Sequence, residues 1–530
     1  MSRIVLLVTS AAVLLALSAP AAFAAADCTL LKSMTFTDAT LTAAEAVTAG
    51  SLTLPGLEPQ SSLPAFCRVR VTLHPTTDST IRFEVWLPQE SWNGRLLNVG
   101  NGGFAGSISY GQMARNLQRG YATAGSDAGH QSDAEDASWA YQHPEKIADF
   151  GYRAVHLTAL LSKAVVREYY ARPQEKAYFD ACSDGGREAL MEAQRFPEDY
   201  DGILAGAPAN NWAHMLANGL ALTQAISRNP AAYISSLKLP AITQAALNAC
   251  DVLDGLKDGV VSEPERCRFD PAVLQCKGAE DSSCLTPPQV QALRMIYSGA
   301  KDSKGVTIFP GLIPGDENPA WHDWVLGNAP AGASGTNYMV GYFRYMVLND
   351  STWNPLTADI DTALQTAIDR SAKDVDAIDP DLSRFAAHGG KLIMYHGWND
   401  PAISPLNSVQ YLGDVQRAMG SAKADDAVRL YMVPGMEHCA GGPGPNIIGQ
   451  LGFAGAEGEG TGAMDLLRIW VERGKAPGPI LAVKVAGTHE APVRIVRPVC
   501  AYPQEAKYNG RGDPKTPESF ACKTPVFPRF

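Results

Sequence analysis

After its first residues the sequence has no uninterrupted run of about 18 apolar residues, the length a membrane-spanning helix needs, so no membrane span is expected there. A basic excess is missing as well, since 44 Lys and Arg stand against 55 Asp and Glu, a formal net charge of -11. That balance argues against a nucleic-acid partner, because such surfaces neutralise phosphates with clustered Lys and Arg. No C-x-x-C pair and no His/Cys group at zinc spacing occurs, which speaks against a metal-thiolate centre. Internal repeats and low-complexity blocks are also lacking.

At the N-terminus Met1-Ser2-Arg3 precedes an apolar run over 4–17 and small residues ending in Ala22-Phe23-Ala24. This layout is that of a secretory signal peptide over 1–24, cut near Ala24 or Ala26, and the expected destination is the periplasm or the exterior. The remaining chain exceeds one ordinary domain, so a large domain with an insertion or a second domain is expected. Ten cysteines form an even set, which in an exported chain favours disulfides over free thiols.

Short apolar runs alternate with helical patterns. Strands are predicted over 80–87, 95–99, 120–124, 176–181, 202–205, 391–395 and 428–433, with helices over 150–170 and 186–195. Such alternation indicates an α/β fold, a mostly parallel sheet flanked by helices. The segment 209–375 breaks the rhythm, being rich in Asn, Pro, Gly and Trp and holding four cysteines. It reads as an insertion, a lid over the carboxyl ends of the strands or a structural subdomain, dividing the main domain into 25–208 and 376–530.

The run 176–181 leads into Cys182-Ser183-Asp184-Gly185-Gly186 and then a good helix. This is the strand, tight turn and helix of a nucleophile elbow, which lifts the serine above the sheet and demands small neighbours. Ala181 departs from the usual pattern, which has glycine there. The alternative is that Ser183 merely caps the helix. Further on, a strand runs into His396-Gly-Trp-Asn-Asp400-Pro, and another into Pro434-Gly-Met-Glu-His438-Cys439. The order Ser, Asp, His is that of an α/β-hydrolase triad, with His438 as general base and Asp400 orienting it. His396 is the rival base, or else shapes the Asp400 loop. If Ser183 and His438 meet, then Cys182 and Cys439 meet, and a bridge there would contribute roughly 2–4 kcal/mol. Otherwise each is a buried cysteine paired elsewhere.

This Cys-Ser, Asp, His-Cys constellation, together with Tyr200-Asp-Gly-Ile-Leu-Ala-Gly-Ala-Pro208, resembles the tannase and feruloyl esterase family, which includes hydrolases of terephthalate monoesters. The likeness runs from about Cys28 to Cys522. It implies an α/β-hydrolase fold with a large inserted lid, and a serine carboxylesterase acting on a small aromatic ester or an ester-decorated polymer. Feruloyl esters are expected first, with galloyl esters or terephthalate monoesters as alternatives. It further implies an oxyanion hole from the N–H groups of Asp184 and of Gly103 in Asn101-Gly-Gly-Phe104, a turn otherwise read as merely Gly-rich. The implied disulfides are Cys28–Cys67, Cys182–Cys439, Cys250–Cys267, Cys276–Cys284 and Cys500–Cys522. Between two of those cysteines, Asp251, Asp254 and Asp258 with the carbonyls of Leu256 and Val260 would hold a structural calcium ion, the alternative being an Asp/Gly-rich surface turn. Of the insertion's aromatics, Trp212, Trp321, Trp324, Tyr338, Tyr342, Phe343, Tyr345 and Trp353 could stack on a ring, and the acidic Asp184 side chain would disfavour an anionic acyl group or bind a phenolic hydroxyl. A non-enzyme reading, a calcium-stabilised binding protein on the same fold, remains open, and the oligomeric state is not legible.

Overall fold

The computed structural model describes residues 27–54, 58–456, 458, 460–488 and 491–525, with side chains 487, 488 and 491–493 left aside. The leader expected over 1–24 lies outside them. Nine strands form the central sheet: β1 Ala39–Val47, β2 Phe66–Leu73, β3 Ile81–Pro88, β4 Arg95–Val99, β5 Ala122–Ser126, β6 Lys176–Cys182, β7 Gly202–Gly206, β8 Lys391–Gly397 and β9 Val428–Val433. Their order is β1-β2-β3-β5-β4-β6-β7-β8-β9. The pairs from β5 to β9 are parallel and the first three pairs antiparallel. Parallel strands are covered on both faces, which is why β5, β7 and most of β6 and β8 are buried throughout and read as continuous apolar runs.

All seven predicted strands are present, one of them shifted. The strand expected at 120–124 begins at Ala122, because Gly120 sits at φ +81° in the turn that precedes it. The helix expected from 150 is regular only over Ala154–Tyr170, after a π-helical turn at Asp149–Arg153. Sequence reading missed β1 and β2, and the hairpin of Ile480–Thr488 with Ala491–Val499.

β4 is flanked by β5 on one side and β6 on the other, so the strand order reverses there. At such a point the loops leaving the carboxyl ends of two neighbouring strands diverge and open a crevice. Those loops are 100–104 and the Ser183 turn.

The chain between β7 and β8 adds no strand to the central sheet. Its helices include Trp212–Ser227, Leu239–Cys250, Pro287–Ser298 and Ile360–Arg370. It leaves and returns at adjoining positions. The Ala377 N–H donates to the Asn210 carbonyl at 2.8 Å, and Asn210 Nδ2 to the Ala377 carbonyl at 3.2 Å. Asp376 caps the first helix, accepting the N–H of Trp212 at 2.9 Å. Among the described residues no helix is long and apolar enough to cross a membrane.

Candidate active site

Ser183 has φ 68° and ψ −123°, a region that a non-glycine residue occupies only under constraint, at roughly 1–3 kcal/mol. The constraint is β6 running straight into the helix Asp184–Arg195, with the Ser183 N–H held by the Gly206 carbonyl at 3.0 Å. Strand and helix approach so closely that a Cβ on Gly185 would lie 2.6 Å from Cβ of Ala181. The missing methyl at 185 is what makes room for Ala181 where the usual pattern has glycine.

His438 Nε2 lies 2.8 Å from Ser183 Oγ, and His438 Nδ1 lies 2.7 Å from Asp400 Oδ2. With Nδ1 facing a carboxylate, the ring proton sits on Nδ1 and the Nε2 lone pair accepts the serine hydroxyl proton. Asp400 Oδ1 accepts the N–H groups of Ala402 and Ile403 at 2.8 and 2.9 Å. His396, the rival base, lies on the far side of Asp400. Its Nε2 is 3.2 Å from Asp400 Oδ2 and 3.2 Å from the Ile403 carbonyl, and its Nδ1 is 2.8 Å from Ser408 Oγ. Facing two acceptors, Nε2 carries the proton and donates, so His396 braces the carboxylate. Burial raises the Asp400 pKa, but the His438 charge, the hydrogen bonds from His396 and His438 and the His396 charge outweigh it and hold the carboxyl well below the ordinary range.

The five disulfides are Cys28–Cys67, Cys182–Cys439, Cys250–Cys267, Cys276–Cys284 and Cys500–Cys522. The second closes a sequence separation of 257 residues directly beside Ser183 and His438. It ties the two loops together, so their spacing does not depend on packing alone.

Gly103 takes φ +58°, and a Cβ there would fall 2.4 Å from the Ala134 carbonyl oxygen and 2.6 Å from Tyr338 Oη. Gly103 and Asp184, the latter at the free end of a helix, both line the cavity that holds Ser183. The Asp184 side chain requires a correction. Rather than meeting an acyl group it is buried and clamped by Arg187, Nε to Oδ1 at 2.5 Å and Nη2 to Oδ2 at 3.1 Å. Arg187 also donates to the carbonyls of Gly151 and Phe150. The guanidinium has four acceptors and pairs the Asp184 carboxylate through both of its oxygens, so that side chain is committed to Arg187.

The cavity is about 520 Å³. Of the aromatics singled out from sequence, Trp212, Trp324 and Tyr338 line it, whereas Trp321, Tyr342 and Phe343 are core. Trp324 stands edge-on to His438 at 5.4 Å between ring centres and stacks on Tyr338 at 5.9 Å. No sequence signal separates these three from the core aromatics, since the difference lies in how the insertion folds back. Among the described residues no Lys or Arg lines the cavity.

Asp316, in the insertion, neighbours Glu437, the residue before His438. Its pKa is pushed up to about 9 by burial and by the Glu437 and Glu317 carboxylates. Because the unfolded carboxyl titrates near 4, the folded state binds the extra proton between about pH 4 and 9, and stability falls as pH rises through that window. Asn at 316 mimics the protonated form. We expect Asp316→Asn to show a flatter fall of thermal midpoint from pH 6 to 9 than the parent in calorimetry, and parallel curves would refute the assignment.

In the loop 251–260 all donors are oxygen. Asp251 accepts the N–H groups of Asp258 and Gly259, each at 3.1 Å, and Asp254 that of Leu256 at 2.9 Å. Asp258 Oδ2 pairs with Arg497 at 2.5 Å. Burial, with the Asp258 charge adding to it, raises the Asp254 pKa. The donor set therefore suits calcium, although the three carboxylates are not drawn together. Among the described residues the one group of three or more His/Cys/Asp/Glu whose ligand atoms converge within 4.8 Å is His156, Glu192 and Asp199, Glu192 being on the helix that follows Ser183.

The family model described as "Tannase and feruloyl esterase" matches residues 67–523. An uncharacterised esterase of Xanthomonas campestris pv. campestris is 40% identical over 528 residues, covering 94% of this chain and 92% of its own. Two solved structures from Aspergillus oryzae superpose over 94% of this chain and 99% of theirs. One is of an esterase, at TM-score 0.87 and 29% identity, and the other of feruloyl esterase B, at 0.85 and 30%. With the family pattern matched across most of its length and the fold shared, the chain is an esterase of the tannase and feruloyl esterase family.

Proposed function

We propose that this protein is an exported serine esterase that cleaves esters of uncharged aromatic acids, feruloyl esters above all, through an acyl-enzyme on Ser183. One observation carries the reading, the unbroken hydrogen-bond chain Ser183–His438–Asp400 bordering an apolar cavity without a cationic side chain. Ser183 Oγ attacks the ester carbonyl carbon while His438 Nε2 takes its proton, and the N–H groups of Gly103 and Asp184 hold the resulting oxyanion. Collapse expels the alcohol, which receives that proton from His438. Water, deprotonated in turn by His438, then releases the acid and restores Ser183. Asp400 keeps the imidazole in the required tautomer and stays charged throughout. The insertion acts as the lid, supplying Trp324 and Tyr338 to enclose the ring.

The purified protein should hydrolyse methyl ferulate best, methyl gallate next and a terephthalate monoester at least about 100-fold more slowly in kcat/KM, since a carboxylate entering an apolar cavity without a partner loses several kcal/mol of solvation. A preference for the terephthalate monoester would defeat the assignment. Export is supported by the leader pattern at 1–24 and by five disulfides, which persist in oxidising compartments.

For calcium, Asp251, Asp254 and Asp258 with the carbonyls of Leu256 and Val260 are the proposed ligands, and the ion would neutralise the buried carboxylates of the loop. It has no part in the hydrolytic steps. Chelation by EGTA is expected to lower the thermal midpoint by several degrees and readdition of calcium to restore it. An unchanged midpoint with no bound calcium by elemental analysis would dismiss the ion.

A further inference from the structure

The cavity at Ser183 extends further than one aromatic acid requires. The helix Trp212–Ser227 begins beside the nucleophile, where the Ala209 N–H donates to the Ser183 carbonyl at 3.1 Å. Trp212, Met215, Leu216, Gly219, Thr223 and Ile226 of this helix line the cavity, and their spacing of three and four residues makes one continuous face. From Trp212 to Thr223 that face rises about 16 Å. A feruloyl group spans about 8 Å from carboxyl carbon to phenolic oxygen on ordinary bond lengths. Roughly half of the length is left over.

At Thr223 a second cavity of about 450 Å³ adjoins the first. Both are lined by Thr223, Ala331 and Thr336, and the hydroxyls of the two threonines hydrogen-bond across the boundary at 3.2 Å. The residues shared by the two cavities are all small, so only short side chains stand at their boundary. The chemistry changes on crossing. The second cavity carries Glu135, Asp136, Asn337, Tyr345 and Asn354 and, among the described residues, no Lys or Arg, and Glu135, Asp136 and Asn337 are solvent-exposed. Glu135 Oε2 accepts from Asn337 Nδ2 at 3.0 Å. Such a mouth suits an uncharged group rich in hydroxyl donors and repels an anion.

We infer that the acid-binding cavity is a passage with a second mouth beyond Thr223 and Thr336, which receives a hydroxylated, uncharged substituent on the far end of the aromatic acid. This inference rests on the aromatic-ester reading of Ser183. The substrate class it adds is hydroxycinnamic esters whose phenolic oxygen bears a sugar-like group.

The test compares methyl ferulate with the methyl ester of 4-O-glucosyl ferulic acid, on the parent enzyme and on Asn337→Trp, which fills the mouth. The parent should take both with KM values within about threefold, and Asn337→Trp should raise KM for the glucoside about tenfold or more relative to methyl ferulate. Glu135→Leu, also at an exposed position, serves if tryptophan at 337 disturbs folding, with the same relative loss expected. If the parent cleaves methyl ferulate but not the glucoside, or the variants treat both alike, the second mouth is refuted and the aromatic-ester reading stands. Turnover of neither ester refutes both. In 1-O-feruloyl glucose the sugar is on the alcohol side, and a selective loss there in Asn337→Trp would assign the passage to the alcohol and overturn the inference.

Discussion

Alanine at position 183 is expected to lower kcat for methyl ferulate by about 10⁵–10⁶-fold while KM moves only a few fold. Only the nucleophile is removed. The oxyanion donors, the cavity and the His438–Asp400 pair remain, so a residual rate above the uncatalysed one is expected from binding and polarisation. Alanine at φ 68° is as strained as serine, and so the thermal midpoint should change little. Labelling by a serine-directed phosphonate should vanish with the activity. A variant that keeps more than about a hundredth of the parent rate would show that the hydroxyl of Ser183 is not the acyl acceptor.

Asn at position 400 should cost about 10⁴-fold in kcat, for a reason the local geometry makes specific. One oxygen of Asp400 accepts two backbone N–H groups, and the other faces the imidazoles of both His438 and His396. A carboxamide can meet only one of these demands. With its oxygen toward Ala402 and Ile403, its NH₂ confronts His438 Nδ1 and drives the ring to the tautomer whose Nε2 carries the proton and cannot act as base. Turned the other way, the NH₂ opposes two N–H donors. Stability should report the same carboxylate. Its folded pKa is depressed, so its contribution is complete above the unfolded carboxyl range and is lost as pH falls below about 4. The gap in thermal midpoint between parent and Asp400→Asn should therefore be widest at neutral pH and shrink in acid. A loss of rate under tenfold would mean that another group orients His438, and His396 would be the first suspect.

Legibility followed locality. The elbow, the Asp400 loop and the His438 loop could be read because each is a strand end followed within a few residues by its functional side chain. The parallel strands were readable because burial on both faces writes a continuous apolar run. β1 and β2 escaped because they are the antiparallel margin. Ala39–Val47 is mostly small and exposed on one face, and Phe66–Leu73 is broken by Arg68 and Arg70, whose partners Glu45 and Glu84 lie on neighbouring strands. The Asp184 side chain was misplaced for a related reason, since Arg187 is one turn along the helix but the carbonyls that fix it, of Gly151 and Phe150, come from another element.

By itself the sequence determined the α/β alternation, the order of serine, aspartate and histidine, and the small residues at the elbow, because all of these follow from periodicity and steric demand over about a dozen neighbouring residues. Only the tertiary structure decided which histidine approaches Ser183, that Asp184 answers to Arg187, which of the insertion's aromatics line the cavity, and that the cavity adjoins a second one at Thr223 and Thr336. Those outcomes depend on how separate elements come together, Ser183 and His438 across 255 residues and Arg187 onto the carbonyls of Phe150 and Gly151, and no local pattern encodes which of several chemically equivalent residues will be the one that arrives.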